Sequence, residues 1–233
     1  MLVSPIEGHR IWSASYDSDP NPVLALDQRV LSERLGCLDG LRVVDVACGT
    51  GRWMSFAQSQ GAEVIGIDLC REMLVAAARK PALAARVVLA SAAELPLGDE
   101  VADRALCSFA LSYFPSAAAA IGEMARITRR GGRVIVSDLH PHAVRAGSTR
   151  SFRSGDQVYA IDHRNHAIRF AYLAAERYGL TLDWELSACF GAPEREIFIR
   201  AGKESVFHDA SRVPALRLLA WVKRCDLRER GWR

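Results

Sequence analysis

The run Val43-Val-Asp-Val-Ala-Cys-Gly-Thr-Gly-Arg-Trp53 holds the residues whose spacing points most directly to chemistry. A short apolar segment leads into Gly49-Thr50-Gly51, and a helix is expected to follow. Paired glycines let the backbone approach a ligand more closely than a Cβ would allow. Two features argue against a dinucleotide pyrophosphate. The fingerprint for that ligand needs a third small residue at position 54, where Met54 stands, and Asp45 occupies a position that is usually apolar. The next apolar run, Val64-Ile-Gly-Ile-Asp68, ends in a carboxylate. An acidic residue at the end of a second strand can accept both hydroxyls of an adenosine ribose. Asp68 could instead cap the helix that starts near Cys70, but the glycine loop one strand earlier favours the ribose reading.

A second group of candidates lies downstream. Ser137-Asp-Leu-His140-Pro-His142 closes a fifth strand at the carboxyl edge of the sheet, where open α/β folds bind ligands. Residues 143–162 contain Gly147, Gly155, Phe152 and Tyr159 without clear periodicity and read as a lid, which ends at His163. His140 and His163 are therefore expected to face one cavity as base or substrate contact, since histidine is the natural proton acceptor near neutral pH. The alternative for each is a plain loop or helix-start hydrogen bond. His142, His166 and His208 read as surface residues. No carboxylate or thiolate falls at a spacing that would complete a metal site with these histidines, so no metal is expected.

Four segments in order carry a family resemblance: Val-Val-Asp-Val-Ala-Cys-Gly-Thr-Gly-Arg, Ile-Gly-Ile-Asp-Leu-Cys-Arg-Glu-Met-Leu, Ala-Glu-Leu-Pro-Leu and Arg-Gly-Gly-Arg-Val-Ile-Val-Ser-Asp. Together they resemble the motifs of class I S-adenosylmethionine (SAM)-dependent methyltransferases. The branch they look most like is the small-molecule enzymes similar to the ubiquinone/menaquinone-biosynthesis methyltransferases, over roughly residues 16–224. The resemblance implies SAM as cofactor and S-adenosylhomocysteine as product. It places Asp45, Ala47 and the Gly49/Gly51 backbone around the amino-acid part of SAM, Asp68 on the ribose, and Leu69 and Met73 beside the adenine. The family usually has an acidic residue where Ser91 stands, so Ser91 with Ala92 and Ala93 is expected to serve the adenine edge instead. Losing one charge-assisted hydrogen bond there weakens binding by about 1.5–3 kcal/mol without abolishing it.

The same resemblance locates the acceptor. Cys107-Ser-Phe-Ala-Leu-Ser-Tyr-Phe-Pro115 lacks the Asn/Asp-Pro-Pro-aromatic motif of enzymes that methylate a nucleobase amine. Ser108 and Ala110 are then candidates for the methionine end, and Ser112 and Tyr113 for the substrate side, with Phe109 and Phe114 read as core. Trp12-Ser-Ala-Ser-Tyr16-Asp17 resembles the segment that folds over the cofactor in such enzymes, so Tyr16 and Trp12 either close the site or anchor the first helix. Phe152, Tyr159 and Tyr172, with Arg153 and Arg169, hint at a planar or acidic acceptor. The expected activity is methyl transfer to an O, N or C nucleophile of a biosynthetic or secondary metabolite. A SAM-dependent cyclisation or related non-methylating reaction, or an inactive SAM-binding module, are the alternatives.

The elements that must position these residues follow from periodicity. Apolar runs at Leu41–Ala47, Glu63–Asp68, Arg86–Ala90, Arg104–Ala110 and Arg133–Ser137 alternate with helical stretches at 52–60, 70–79 and 116–129. That order predicts a parallel sheet covered on both faces. Asn21-Pro22 starts a preceding helix, with Asn as cap and Pro in the first turn. Leu180, Leu182, Trp184 and Leu186 alternate with polar residues, as on an edge strand with one wetter face, and Leu216–Val222 is a last apolar strand. The resemblance implies seven strands in a Rossmann-like, mostly parallel α/β sheet with the last strand antiparallel. The whole chain, 1–233, reads as one domain with cap helices in 1–40 and a substrate-side lid insertion at 139–178.

Bulk properties narrow the class. The 233 residues are 50% hydrophobic, enough for one substantial core. Thirty basic against 27 acidic residues leave +3, too small a surplus to suggest a nucleic-acid partner, and the Arg-rich end (Arg224, Arg228, Arg230, Arg233) reads as a solvated tail. Six scattered cysteines fit a reducing compartment, and no leader or membrane span is legible, so a cytoplasmic enzyme with a small-molecule partner is expected. A monomer and a homodimer are equally compatible with the sequence.

Overall fold

In a computed structural model of the chain, residues 1–164 and 167–225 are described, without the side chains of 167–169. The elements run β1 (Leu2–Val3), α1 (Pro5–Trp12), α2 (Pro22–Ser32), β2 (Arg42–Val46), α3 (Arg52–Ser59), β3 (Glu63–Asp68), α4 (Arg71–Ala78), β4 (Val87–Leu89), β5 (Ala102–Ser108), α5 (Ala117–Ile127) and β6 (Thr128–Leu139). They continue with α6 (Pro141–Arg145), β7 (Ser151–Ser154), β8 (Gln157–Ile161), α7 (Ala167–Arg177), β9 (Leu180–Ala188), α8 (Ala192–Arg200), α9 (Glu204–Ala210) and β10 (Leu216–Lys223).

Seven strands form the main sheet in the order β4-β3-β2-β5-β6-β10-β9. The first five in that order are mutually parallel, and β10 runs antiparallel to both β6 and β9. The predicted sheet and its antiparallel last strand are thus present, and β9 is the edge strand that its alternating pattern predicts. Side chains divide by parity. Val44 and Val46 of β2, Cys107 of β5, Val136 of β6 and Trp221 of β10 face α5 and α7, whereas Val43, Leu106, Ile135 and Leu218 share the opposite core with α2 and α3. Burial on both faces explains why these strands read as continuous apolar runs.

The chain moves outward from β2 through β3 to β4 and then returns to place β5 on the other side of β2. Strand order therefore reverses between β2 and β5, and the crevice at their carboxyl ends is where such sheets bind ligands. Residues 45–51 and 108–110 lie there.

Met54 breaks the small-residue rule of dinucleotide sites, and the structure shows how the helix still packs tightly. Met54 is fully buried, and a Cβ at Gly66 on β3 would lie 2.2 Å from its Sδ. The small residue has moved from the helix to the neighbouring strand.

Several elements were not legible in the sequence: β1, the β7–β8 hairpin, α8 and α9. β1 pairs in parallel with β8, Leu2 with Ala160 and Val3 with Ile161, which joins the chain's start to the hairpin in a separate three-stranded sheet. Within the span 139–178, Leu139, Ala143 and residues 146–151 reach the ligand crevice. α7 instead packs Ala171, Ala174 and Ala175 into the main core beside α5. Among the described residues, no helix is long and apolar enough to cross a membrane.

Candidate active site

A cavity of about 1200 Å³ opens over the carboxyl ends of β2, β3 and β5. Of the expected cofactor residues, it is lined by Tyr16, Asp45, Ala47, Gly49, Asp68 and Leu69, and also by Met73, Ser91, Ala92, Ala93 and Ser108. Trp12 and Tyr113 from the expected substrate side line it too. Gly51 does not: its φ of +79° starts α3, and a Cβ there would strike Leu83 at 2.6 Å. Its role is to turn the chain, which few residues other than glycine can do at that φ.

The floor is strained where it meets the crevice. Ala47 and Phe109 hold φ of +59° and +54° just beyond β2 and β5. Such conformations cost about 1–3 kcal/mol each and gather at ligand sites.

Asp68 closes β3. Its Oδ2 accepts from the Gly49 amide at 2.8 Å, and its Oδ1 from the Cys70 amide at 2.7 Å. One side chain thus ties the glycine loop to Cys70, the N-cap residue of α4, without itself capping that helix, where no side chain makes a capping bond. A carboxylate has about four lone-pair sites, so these two bonds leave acceptor capacity for a pair of hydroxyls. Burial raises its pKa, opposed mainly by those two amides.

Asp45, buried on β2, has its pKa pushed up to about 8, chiefly by burial and against the pull of Arg52. Arg52 lines the cavity beside it, stacked 4.8 Å over the Trp53 ring, and donates to Asp27 Oδ2 at 2.6 Å and to Ser108 Oγ at 3.1 Å. Trp53 Nε1 and Ser108 Oγ donate to the same Asp27 oxygen at 3.0 and 2.8 Å. Asp27 is fully buried on α2, so this network holds the Arg52 guanidinium at the crevice. The donor set suits SAM: a carboxylate with spare lone pairs for the ribose, and a buried acid and a fixed guanidinium for a zwitterionic amino acid. At Gly49 a Cβ would meet nothing nearer than Met73 Sδ at 4.0 Å, leaving room against bare backbone.

The N-terminal segment forms the roof. Thr50 Oγ1 donates to Asp17 Oδ1 at 2.6 Å, and Lys80 pairs with Asp17 at 2.8 Å, so the roof is tied to the glycine loop. Trp12 packs edge-on against Tyr16 at 4.6 Å and stacks flat on Phe152 at 4.9 Å, while its Nε1 donates to Asp19. Both Trp12 and Tyr16 line the cavity, and the contacts of Trp12 run to Tyr16, Phe152 and Asp19.

The acceptor side differs from expectation at several positions. Phe152 and Tyr159 stack behind Trp12 and support the roof without lining the cavity. Ser112 is buried away from it. His140 caps α6, its Nδ1 accepting from the His142 amide at 3.1 Å, and His163 bonds the Ile161 carbonyl at 3.0 Å through its Nδ1. Neither lines the cavity, so both take the plain hydrogen-bonding role. Tyr172 donates to Glu185 near Arg217, and Arg153 is exposed, which removes the aromatic-plus-arginine cluster as a hint about the acceptor. Phe109 and Phe114 line the cavity, and Phe109 is also core. His142 and His208 are exposed, whereas His166, Arg228, Arg230 and Arg233 and the side chain of Arg169 lie outside the described residues.

Sequence reasoning missed His9, Arg52, Arg150 and the aromatic wall of Phe190 and Phe198, all of which line the cavity. For His9 a signal was present: it stands three residues before Trp12, on the same helix face. Arg150 carried none. Its side chain, 8% exposed, pairs with Asp138 at the end of β6, donates to the Phe109 carbonyl at 2.9 Å and lies 4.8 Å over the Tyr113 ring.

A family model described as a methyltransferase domain matches residues 44–136, from β2 to β6. Demethylmenaquinone methyltransferase of Staphylococcus aureus (strain MRSA252) is 33% identical over 214 residues, covering 85% of this chain and 84% of that protein. Malonyl-[acyl-carrier protein] O-methyltransferase of Pectobacterium atrosepticum is 37% identical over 116 residues, 48% of this chain, and that match spans about half of the relative, 46%. Among solved structures, a SAM-dependent methyltransferase from Mesorhizobium loti superposes with a TM-score of 0.66 at 21% identity, covering 87% of this chain and 100% of that one.

Proposed function

This chain belongs to the class I SAM-dependent small-molecule methyltransferases, and on that premise we propose that it methylates an oxygen, nitrogen or carbon nucleophile of a largely apolar biosynthetic metabolite. The observation that carries this reading is the continuity of the cavity, which joins a polar, loop-built end at β2 and β3 to an apolar end walled by Tyr113, Phe114, Phe190 and Phe198.

At the polar end Asp68 would accept the ribose hydroxyls, with Leu69 and Met73 beside the adenine and Ser91 and Ala92 at its edge. Asp45 would face the ammonium of the methionine part and Arg52 its carboxylate. When bound, the cofactor supplies a methyl group made electrophilic by a positively charged sulfur. The chain's own contribution is largely alignment, since a displacement held in near-attack geometry gains most from fixed position. Trp12, Tyr16 and Tyr113 close the roof and keep water from the transfer site.

The relative matched over most of its length is named for demethylmenaquinone, and a planar quinol fits a wall built from aromatic rings. A malonyl thioester, the substrate named in the shorter match, is the competing acceptor. Incubation with SAM and either a short-chain naphthoquinol or a malonyl thioester, read by mass spectrometry, decides between them. Gain of one methyl group on the quinol, with S-adenosylhomocysteine formed in equal amount, is expected. Methylation of the thioester alone would overturn the quinol assignment, and consumption of SAM without methyl gain would overturn the transfer.

A further inference from the structure

With His140 and His163 outside the cavity, any proton that the acceptor must lose needs another receiver. The cavity offers few. Asp68 already accepts two backbone amides, and Asp45 lies under the glycine loop at the cofactor end. Burial pushes the Cys48 and Cys70 thiols and the Tyr16 phenol up, which makes each a poor base at neutral pH. Lys203 and Asp209 are exposed at the α8–α9 rim, far along the chain from the glycine loop.

His9 differs from all of these. α1 begins at Pro5 with Ser4 as cap, and one turn later His9 points into the cavity wall. Its Nδ1 lies 2.7 Å from the Pro5 carbonyl oxygen. A carbonyl can only accept, so Nδ1 carries the proton and the neutral ring keeps its lone pair on Nε2. The ring meets Tyr113 edge-on at 4.9 Å, and the Asp68 charge acts on it from the end of β3. His9 therefore lines the cavity against Tyr113, which follows β5, and within reach of the charge of Asp68 at the end of β3.

We propose that His9 is the general base of the transfer, its Nε2 taking the hydroxyl or enol proton of the acceptor. This rests on the reading of the acceptor as a protic nucleophile such as a quinol. The acceptor's freed electron pair forms the new bond to the methyl carbon as the carbon–sulfur bond breaks with its pair remaining on sulfur. His9 becomes an imidazolium and returns its proton to solvent after product leaves. The groups acting on it are the charges of Asp68 from β3 and Arg150 before β7, with the rings of Trp12 on α1 and Tyr113 after β5 beside it. Burial lowers the pKa of His9 below the usual 6.5 and Arg150 lowers it further, while the Pro5 carbonyl and Asp68 oppose them, so the ring is neutral and competent at pH 7.

His9→Gln keeps a hydrogen-bonding side chain on α1 but cannot accept the proton, and His9→Ala removes both. SAM affinity measured by calorimetry is expected to stay within a few-fold of wild type in His9→Gln, while kcat falls about a hundredfold. Wild-type kcat/KM is expected to climb with pH through a value below 6.5 to a plateau, and this limb is expected to vanish in both variants. Added imidazole is expected to restore part of the His9→Ala rate. Wild-type kcat in His9→Gln, or an unchanged acid limb, would overturn the assignment. Nitrogen-15 NMR of the histidines gives a readout independent of turnover: His9 is expected as the neutral Nδ1–H form at pH 7, and a doubly protonated ring there overturns the proposal. A wild-type enzyme inactive on quinols would overturn the acceptor reading and the base with it, because a malonyl carboxylate is already ionised at pH 7 and has no proton to give. An enzyme active on quinols whose His9→Gln variant keeps wild-type kcat would overturn the base alone.

Discussion

Asp45 faces opposite demands with and without its ligand. Buried without a full counter-charge, it holds its proton up to about pH 8, whereas in the unfolded chain an aspartate releases it near pH 4. Between those values the unfolded state binds fewer protons than the folded state, so its contribution to stability is complete below about pH 4 and is lost as pH rises to about 8. Asp45→Asn removes that loss. The ligand-free variant is expected to melt above wild type at pH 8, with the difference shrinking towards pH 4, while its SAM affinity falls. A melting difference that does not change with pH would contradict the burial argument. Asp68 is the second test at this scale. Each charge-assisted hydrogen bond to a ribose hydroxyl is worth about 1.5–3 kcal/mol, so Asp68→Ala is expected to weaken SAM binding by at least about tenfold in calorimetry. Unchanged affinity removes the ribose assignment.

At the scale of elements, the tight contact between α3 and β3 depends on Gly66. A methyl group there would overlap Met54 Sδ and lie 2.7 Å from Cys48 Sγ, at the root of the glycine loop. Gly66→Ala is expected to cost about 1–3 kcal/mol in denaturant unfolding, the usual cost of overpacking. Met54→Ala in the same chain is expected to recover part of it, giving a non-additive double-mutant cycle. Strict additivity would mean that the two side chains do not compete for this space. The Asp138–Arg150 pair makes a comparable link between β6 and the strand that starts the hairpin. Both side chains are almost wholly buried, at 6% and 8% exposure. Asp138→Asn leaves the guanidinium without its counter-charge, and breaking such a pair costs about 3–5 kcal/mol. Loss of stability close to that of an exposed ion pair, under about 1 kcal/mol, would show that the pair is solvated in solution.

At the scale of the molecule, residues from the start of the chain and from the stretch after β6 meet over the same cavity, joined by the β1–β8 pairing. Ligand in the cavity should therefore protect both segments together. SAM at a hundred times its dissociation constant is expected to add about 2.7 kcal/mol to stability. Hydrogen exchange should slow in residues 5–16 and 146–152 as well as in the glycine loop. Protection confined to the loop would show that the roof does not close on the cofactor.

How much of this was legible in the chain follows from the range of the interactions involved. Val43, Val44 and Val46 must each bury a side chain on one face or the other of β2, so a short apolar run reports the strand without further information. Gly51 must turn at a positive φ and Asp68 must end β3, and both demands are local. Asn21 caps α2 through its own Oδ1, 3.0 Å from the Val23 amide, which is local as well. The sequence alone therefore determined the alternating sheet, its glycine loop and the carboxylate one strand over. What only the tertiary structure decided is which histidine reaches the cavity. His140 and His163 flank the crevice in sequence yet make local bonds to their own backbone, whereas His9 arrives on a helix held in place by the pairing of Val3 with Ile161. A contact between residues so far apart leaves no periodic trace in either segment, because it depends on the packing of the whole roof and not on the burial of any one face.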